Sequence, residues 1–130
     1  MSVGVLVIDD NPQNLKLTRL VLAQEGYEVR TAADGEEALG VLREFAPRVI
    51  LMDLQMPGMD GFELTRRLKH DPATKDIVII ALTAYAMRGD EARARAAGCD
   101  GYLAKPIDTR SIGRVILEHI EAAGGGSPVS

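Results

Sequence analysis

Short apolar segments and longer amphipathic segments alternate five times along this chain. Such alternation is typical of βα units arranged around a parallel sheet. The predicted strands span residues 3–8, 27–31, 48–52, 77–82 and 101–104. The first, third and fourth are almost continuously apolar, as expected of central strands covered by helices on both faces, whereas the other two are typical of sheet edges. The sequence therefore predicts an α/β fold with a five-stranded parallel sheet and five helices.

The second predicted strand carries no polar group of a functional type. It continues through Ala32 and Ala33 into Asp34, a residue suited to capping the next helix. A strand without such a group is consistent with a peripheral position, outside the point at which the strand order reverses. We therefore expect a doubly wound, flavodoxin-like sheet with the strand order 2-1-3-4-5.

The predicted helices have recognisable first and last residues. Gly26 and Gly98 are expected to end the first and fourth helices, because glycine adopts the left-handed backbone conformation that terminates a helix. The fourth helix, near 88–97, offers mainly alanines and charged residues, so we expect it to be among the least stable parts of the fold. The predicted N-terminal caps are Asn11 before Pro12, Asp34 with Glu37, Asp60 with Glu63, and Asp108.

The composition limits the class of protein. The chain has 130 residues and a net charge of −4, which excludes the basic surface of a domain that binds nucleic acid unaided. Its longest apolar segment, 77–82, is far shorter than the roughly 20 residues of a membrane-spanning helix. A single cysteine cannot form an internal disulfide and favours the cytoplasm. We expect one domain over 1–122 and a flexible C-terminal tail or linker stub at 123–130.

Polar residues follow four of the five predicted strands. Because the carboxyl ends of parallel strands share one edge of the sheet, these residues should gather where such folds bind ligands. Three carboxylates in one pocket repel each other unless a cation offsets their charge, and Mg²⁺ is the natural candidate because it prefers oxygen ligands. The residues are Asp9, Asp10, Asp53, Thr83 and Lys105.

This set of groups suits phosphoryl transfer, which depends mostly on positioning and charge neutralisation. Asp53 is the candidate nucleophile, accepting a phosphoryl group as an acyl phosphate. Each residue alone has a plainer interpretation, as a helix cap, a turn residue or a solvated charge. Those interpretations do not explain why an acidic pair, a third acid, a hydroxyl and a lysine stand at corresponding ends of four strands.

These residues resemble the receiver domain of two-component response regulators, over about residues 3–122. The matching motifs are Asp9-Asp10, the segment 51–61 around Asp53, the segment 81–84 around Thr83, and Lys105-Pro106. Within the family the chain is similar to DivK-like single-domain regulators and to receivers of hybrid histidine kinases.

The resemblance implies a role for each site residue. Asp53 would be the phosphorylated residue, and Asp10, Asp53 and the backbone carbonyl of Gln55 would ligate Mg²⁺, with Asp9 assisting through water. Thr83 and Lys105 would hold the phosphoryl oxygens, and a cis peptide at Lys105-Pro106 would aim the lysine. Tyr102 matches the aromatic switch residue, whose ring turns inward as Thr83 moves.

The same resemblance implies partners. A histidine kinase or a histidine phosphotransfer protein would supply the phosphoryl group, and a downstream protein effector would read the switch. The donor would dock on a solvent-facing stripe of the first helix that includes Leu15, Asn14 and Thr18. The alternative is a receiver module cut from a hybrid histidine kinase or a larger multidomain regulator.

Two other classes of function fit the residues less well. A Mg²⁺-dependent phosphatase with an aspartyl nucleophile commonly has a second aspartate two residues later, where this chain has Gln55. A flavodoxin-type cofactor binder needs a phosphate loop after the first strand, and the acidic segment 9–12 would repel a phosphate without a metal. We therefore expect no enzymatic activity beyond phosphoryl transfer to, and hydrolysis at, Asp53 itself.

Overall fold

Five parallel strands form a single sheet in the order β2-β1-β3-β4-β5. The computed structural model describes residues 3–54, 61–83, 90–105 and 107–122. This topology confirms the predicted fold class. The elements are β1 (Gly4–Ile8), α1 (Pro12–Gln24), β2 (Glu28–Ala32), α2 (Gly35–Leu42), β3 (Val49–Asp53), α3 (Gly61–His70), β4 (Val78–Thr83), α4 (Asp90–Ala97), β5 (Gly101–Ala104) and α5 (Ile112–Ile120).

The burial of the strands follows their position in the sheet. Every residue of β3 and β4 is buried, and β1 is buried after its first residue. In β2 exposed and half-buried residues alternate until Ala32, because this strand lies at the edge. The prediction that the second and fifth strands are the edge strands is confirmed.

Helices cover both faces of the sheet and enclose two cores. On one face, α1 and α5 bury Leu22, Ile112 and Ile116 against the strands. On the other face, side chains of α2, α3 and α4 are buried against the strands, among them Leu64 and Ala94. Two covered faces explain why β3 and β4 are apolar at every position before their last residue.

The predicted N-terminal caps of the first two helices are confirmed by their hydrogen bonds. The Asn11 side chain accepts hydrogen bonds from the N–H groups of Gln13 and Asn14, at 2.9 and 3.1 Å. Asp34 accepts from the N–H of Glu37 at 2.8 Å, while the Glu37 carboxylate accepts from the N–H of Ala33 at 2.7 Å. These reciprocal bonds form a capping box, which satisfies N–H groups that a helix leaves without intrahelical partners.

The prediction that Asp108 caps the fifth helix is wrong. Helix α5 begins four residues later, at Ile112, and its N-cap residue Ser111 makes no side-chain capping bond. Asp108 instead forms a turn before the helix, since its carboxylate accepts from the N–H of Arg110 at 2.9 Å and its carbonyl from the N–H of Ile112 at 3.0 Å. Aspartate stabilises turns and caps through similar local bonds, so sequence alone did not separate them.

Helix α4 has little apolar contact with the rest of the fold. Within 91–97, only Ala94 and Ala97 have buried side chains. Gly98 ends the helix with φ at +113°, and Gly26, which follows α1, has φ at +95°. The predicted weak anchoring of α4 agrees with this burial.

The predicted cap Asp60 and the tail 123–130 lie outside the described residues. No helix in the described part of the chain is long and apolar enough to cross a membrane.

Candidate functional site

The carboxyl ends of four strands bring the predicted site residues together. Asp53 and Thr83 are the last residues of β3 and β4, while Asp9 and Lys105 directly follow β1 and β5. Asp9, Asp53 and Thr83 are buried, with no more than 1% of their surface exposed, whereas Asp10 is exposed. The site is therefore a buried acidic floor with one acidic side chain at its rim.

Three carboxylates form the acidic cluster that the sequence predicts. One oxygen from each of Asp9, Asp10 and Asp53 lies within 4.8 Å of the other two. An all-oxygen donor set at this spacing fits Mg²⁺, which prefers carboxylate and carbonyl oxygens together with water. The residues present are thus suited to the metal that the sequence predicts.

Lys105 bridges two of these carboxylates. Its Nζ lies 3.1 Å from Asp9 Oδ2 and 3.2 Å from Asp53 Oδ2. Burial alone would lower the pKa of Lys105, but hydrogen bonds and the negative charges of Asp9 and Asp53 outweigh it and raise the pKa above its ordinary value. The lysine is therefore a fixed positive charge between the two buried acids.

The backbone also positions Lys105 relative to Thr83. The N–H of Lys105 donates to the carbonyl of Thr83 at 2.7 Å, extending the pairing of β5 with β4 by one step. The hydroxyl-bearing and ammonium-bearing residues are thereby held side by side at the sheet edge. Lys105 contacts Asp53, and Thr83 ends the strand that pairs with β3, an arrangement that could hold the oxygens of a transferred phosphoryl group.

Asp9 is held by donors from the first turn of α1. Its Oδ1 accepts from the N–H of Asn11 at 2.9 Å, and its Oδ2 lies 3.5 Å from Asn14 Nδ2. Asn14 was not among the residues predicted to lie at the acidic cluster. A signal was present, because Asn14 is the third residue after the cap Asn11, a position whose side chain can turn back toward the cap.

Gly61 allows α3 to begin directly against the end of β3. A Cβ atom at this position would lie 2.7 Å from the carbonyl oxygen of Asp53 and 2.8 Å from Cα of Leu54. Backbone atoms cannot move aside as a flexible side chain can. The sequence did not reveal this requirement for glycine. There Gly61 was only the last residue of the segment 51–61, which resembles a receiver motif.

A groove of about 270 Å³ opens beside Asp9 and Lys105, between α1 and the segment after β5. The predicted docking stripe was partly wrong: Thr18 is buried, and Leu15 is half-buried against the core. Leu17, with 52% of its surface exposed, is the leucine that borders the groove. The groove is lined by Asp9, Asn14, Leu17, Thr18, Lys105, Ile107 and Thr109.

Tyr102, the predicted switch residue, lies in the middle of β5 opposite Ala81. It is half-buried and packs against the core between the sheet and α2, α3 and α4. Its movement with Thr83 stays a prediction. The predicted carbonyl ligand Gln55 and the predicted cis peptide before Pro106 lie outside the described residues.

Comparison with known proteins agrees with this geometry. Residues 5–117 match the response regulator receiver domain. The chain belongs to the response regulator receiver family. It is 45% identical over 107 residues to the polar-differentiation response regulator DivK of Brucella ovis, an alignment that covers 82% of this chain and 87% of that protein.

Solved receiver structures share the fold. The chemotaxis response regulator CheY4 of Vibrio cholerae superposes with a TM-score of 0.85 at 30% identity, covering 92% of this chain and 99% of that one. The receiver domain of a signal transduction histidine kinase from Syntrophus aciditrophicus gives 0.81 at 28% identity, covering 99% and 95%. The alignment with DivK covers most of both chains, which supports the predicted similarity to DivK-like regulators.

Proposed function

We propose that this receiver is switched by phosphorylation of Asp53 and signals through protein–protein contacts. The observation that carries the proposal is the bridge from Lys105 to Asp9 and Asp53, within a cluster of three carboxylates. A half-buried lysine between two buried acids, next to a threonine at the neighbouring strand end, suits acceptance of a charged phosphoryl group.

The donor is a phosphohistidine of a histidine kinase or a phosphotransfer protein. A carboxylate oxygen of Asp53 attacks phosphorus, the new P–O bond forms, and the P–N bond to the imidazole breaks with its electron pair leaving on nitrogen. Lys105 and Thr83 hold the oxygens of the transferred group. In hydrolysis water attacks the same phosphorus, which releases phosphate and restores the carboxylate.

Receiver domains bind Mg²⁺ at an acidic site, and this chain has the residues for it. Asp10 and Asp53, with the backbone carbonyl of Gln55, would hold the ion, and Asp9 would assist through water. The bound ion would supply positive charge that offsets the carboxylates and the incoming phosphoryl oxygens. We assign the role of nucleophile to Asp53, so the protein would act on itself and not on a separate substrate.

The groove beside the site is the place we assign to the phosphodonor protein. The exposed Leu17 and the half-buried Ile107 line it next to Lys105, so a histidine side chain entering there would approach the acidic cluster. Apolar contact with these two side chains would position the donor, and the polar groups would position the phosphoryl group.

The signal would pass from the site to a partner protein through Thr83, Tyr102 and α4. Movement of Thr83 toward the phosphoryl group would allow Tyr102 to turn inward and would shift α4, which has few buried side chains. A downstream protein effector would recognise the shifted surface. We place the protein in the cytoplasm, in keeping with its single cysteine.

Intact-mass measurement after incubation with phosphoramidate and with acetyl phosphate, with Mg²⁺ and with EDTA, tests this proposal. The wild-type chain should gain one phosphoryl group only with Mg²⁺, and peptide mapping should place it on Asp53. The Asp53→Asn variant should gain none, whereas Asp76→Asn, which alters an exposed aspartate, should match the wild type. Modification that persists in Asp53→Asn, or none on the wild type with either donor, would contradict the proposal.

A further inference from the structure

Donors from three residues surround the carboxylate of the buried Asp9. Its Oδ1 accepts from the N–H of Asn11 at 2.9 Å. Its Oδ2 lies 3.1 Å from Lys105 Nζ and 3.5 Å from Asn14 Nδ2. One charged donor and one neutral donor therefore face the same buried oxygen, and the charged donor is the closer of the two.

Phosphorylation of Asp53 would change this arrangement. Under the proposed function Lys105 would direct its ammonium to the phosphoryl oxygens and give up its contact with Asp9 Oδ2, to which it is the nearest donor. A buried carboxylate oxygen without a donor is unfavourable, because burial removes the water that would otherwise solvate it. Asn14 Nδ2 is already directed at this oxygen and needs to approach by only a few tenths of an ångström to make a hydrogen bond of ordinary length.

We propose that Asn14 is a positioning residue that replaces Lys105 as the donor to Asp9 Oδ2 when Lys105 engages the phosphoryl group. The inference rests on the proposed function and extends it to a residue outside the acidic cluster. Asn14 acts through Asp9, which its side chain faces, and through Lys105.

The first turn of α1 holds Asn14 in place for this role. Its N–H donates to the Asn11 side chain at 3.1 Å, so its backbone is fixed by the helix cap. Pro12 at the start of the helix restricts the same turn further. The Asn14 side chain is half-buried at the edge of the groove, where only a small rotation would close the remaining distance.

The test compares Asn14→Leu with Gln13→Leu. Both variants exchange an amide for a leucine in the same helical turn, but the Gln13 side chain is exposed and lies outside the groove lining. Two dissociation constants are measured by NMR titration: that of Mg²⁺ for the unmodified protein, and that of beryllofluoride, a phosphoryl mimic, in saturating Mg²⁺. Neither probe requires a partner protein, so any role of the groove in docking does not affect the result.

We expect Asn14→Leu to bind beryllofluoride about tenfold more weakly than the wild type, as loss of a hydrogen bond to a charged group predicts. Its Mg²⁺ dissociation constant should stay within about twofold, because Lys105 still contacts Asp9 in the unmodified state. Gln13→Leu should leave both constants unchanged. Asn14→Gln keeps an amide donor on a longer side chain and should recover part of the beryllofluoride affinity.

Three results in the variants would overturn the inference. Unchanged beryllofluoride affinity in Asn14→Leu would show that Asn14 contributes nothing to the phosphorylated state. An equal loss for Mg²⁺ and beryllofluoride, or the same loss in Gln13→Leu, would show a general structural effect. Asn14→Ala provides the same comparison if the leucine variant does not fold. Failure of the wild type to bind beryllofluoride would instead overturn the proposed function, and the inference with it.

Discussion

The ammonium group of Lys69 lies 2.8 Å from the carboxylate of Asp100 and ties the segment between α4 and β5 to α3. Lys69 also donates to the carbonyls of Lys75 and Ile77, and the Asp100 carboxylate accepts from the N–H of Ile79 at 2.9 Å. The bridge lies near the amino ends of β4 and β5, whereas Asp53 lies at the carboxyl end of β3. The segment between α4 and β5 is thus fastened to α3 and β4.

Replacing Asp100 with alanine should lower the free energy of unfolding by about 1–2 kcal/mol. The change removes the partner of the Lys69 ammonium and of the Ile79 N–H, and partial exposure of both side chains limits the cost. Urea unfolding measures it. Asp76→Ala, at an exposed aspartate in the same region, is the control and should change stability by less than about 0.5 kcal/mol. Equal effects of the two substitutions would contradict the role of the bridge.

Replacing Arg93 with alanine should speed hydrogen exchange of the amides in α4 and lower stability by about 0.5–1 kcal/mol. The Arg93 guanidinium lies over the Phe62 ring, 4.3 Å from its centre, and links α4 to the start of α3. Hydrogen-exchange mass spectrometry of α4 peptides gives the rate.

Arg95→Ala is the matched control for Arg93→Ala. Arg95 pairs with Glu91 on the same helix at 2.8 Å, and both side chains are more than half exposed, so the pair contributes little. If the two arginine variants exchange at the same rate, the contact with Phe62 does not hold α4.

Replacing Lys105 with alanine should lower stability in EDTA by about 2–3 kcal/mol, because the buried carboxylates of Asp9 and Asp53 would then repel each other without a cation between them. Added Mg²⁺ should restore more stability to the variant than it adds to the wild type. Urea unfolding with EDTA and with Mg²⁺ measures both effects. Lys16→Ala, at an exposed lysine of α1, serves as the comparison. A variant as stable as the wild type in EDTA would contradict the electrostatic role.

Replacing Tyr27 with phenylalanine should lower the free energy of unfolding by about 1 kcal/mol at neutral pH, because the Tyr27 hydroxyl donates a hydrogen bond to the Gly113 carbonyl at 2.7 Å. Burial, and then the charge of Glu25, raise the pKa of Tyr27 above 10.0. The neutral phenol is therefore favoured in the folded state, and its stabilisation is complete below pH 10 and is lost as the pH rises through the raised pKa. The stability difference between wild type and Tyr27→Phe should be constant from pH 6 to about 9 and shrink above pH 10. A constant difference up to pH 11, in urea unfolding, would contradict the pKa shift.

The local signals in the sequence were reliable where one segment decides the outcome. The caps at Asn11 and Asp34 and the positive φ of Gly26 and Gly98 each depend on a few neighbouring residues. The signal at Asp108 was ambiguous because the same carboxylate stabilises a turn or a helix start, and the packing of α5 decided between them. Leu15 was misplaced for a similar reason, since only the angle of α1 on the sheet determines which leucine is buried.

The sequence by itself determined the order of the elements, the edge strands and the positions of Asp9, Asp53, Thr83 and Lys105 at strand ends, because hydrophobic periodicity and parallel pairing fix all of these. Only the tertiary structure showed that Lys105 contacts two acids at once, that Asn14 approaches Asp9 and that Gly61 must be glycine. These contacts join residues that are distant along the chain or depend on a close approach of two backbones. Distances of this kind are set by how the helices pack on the sheet, and no local pattern encodes them.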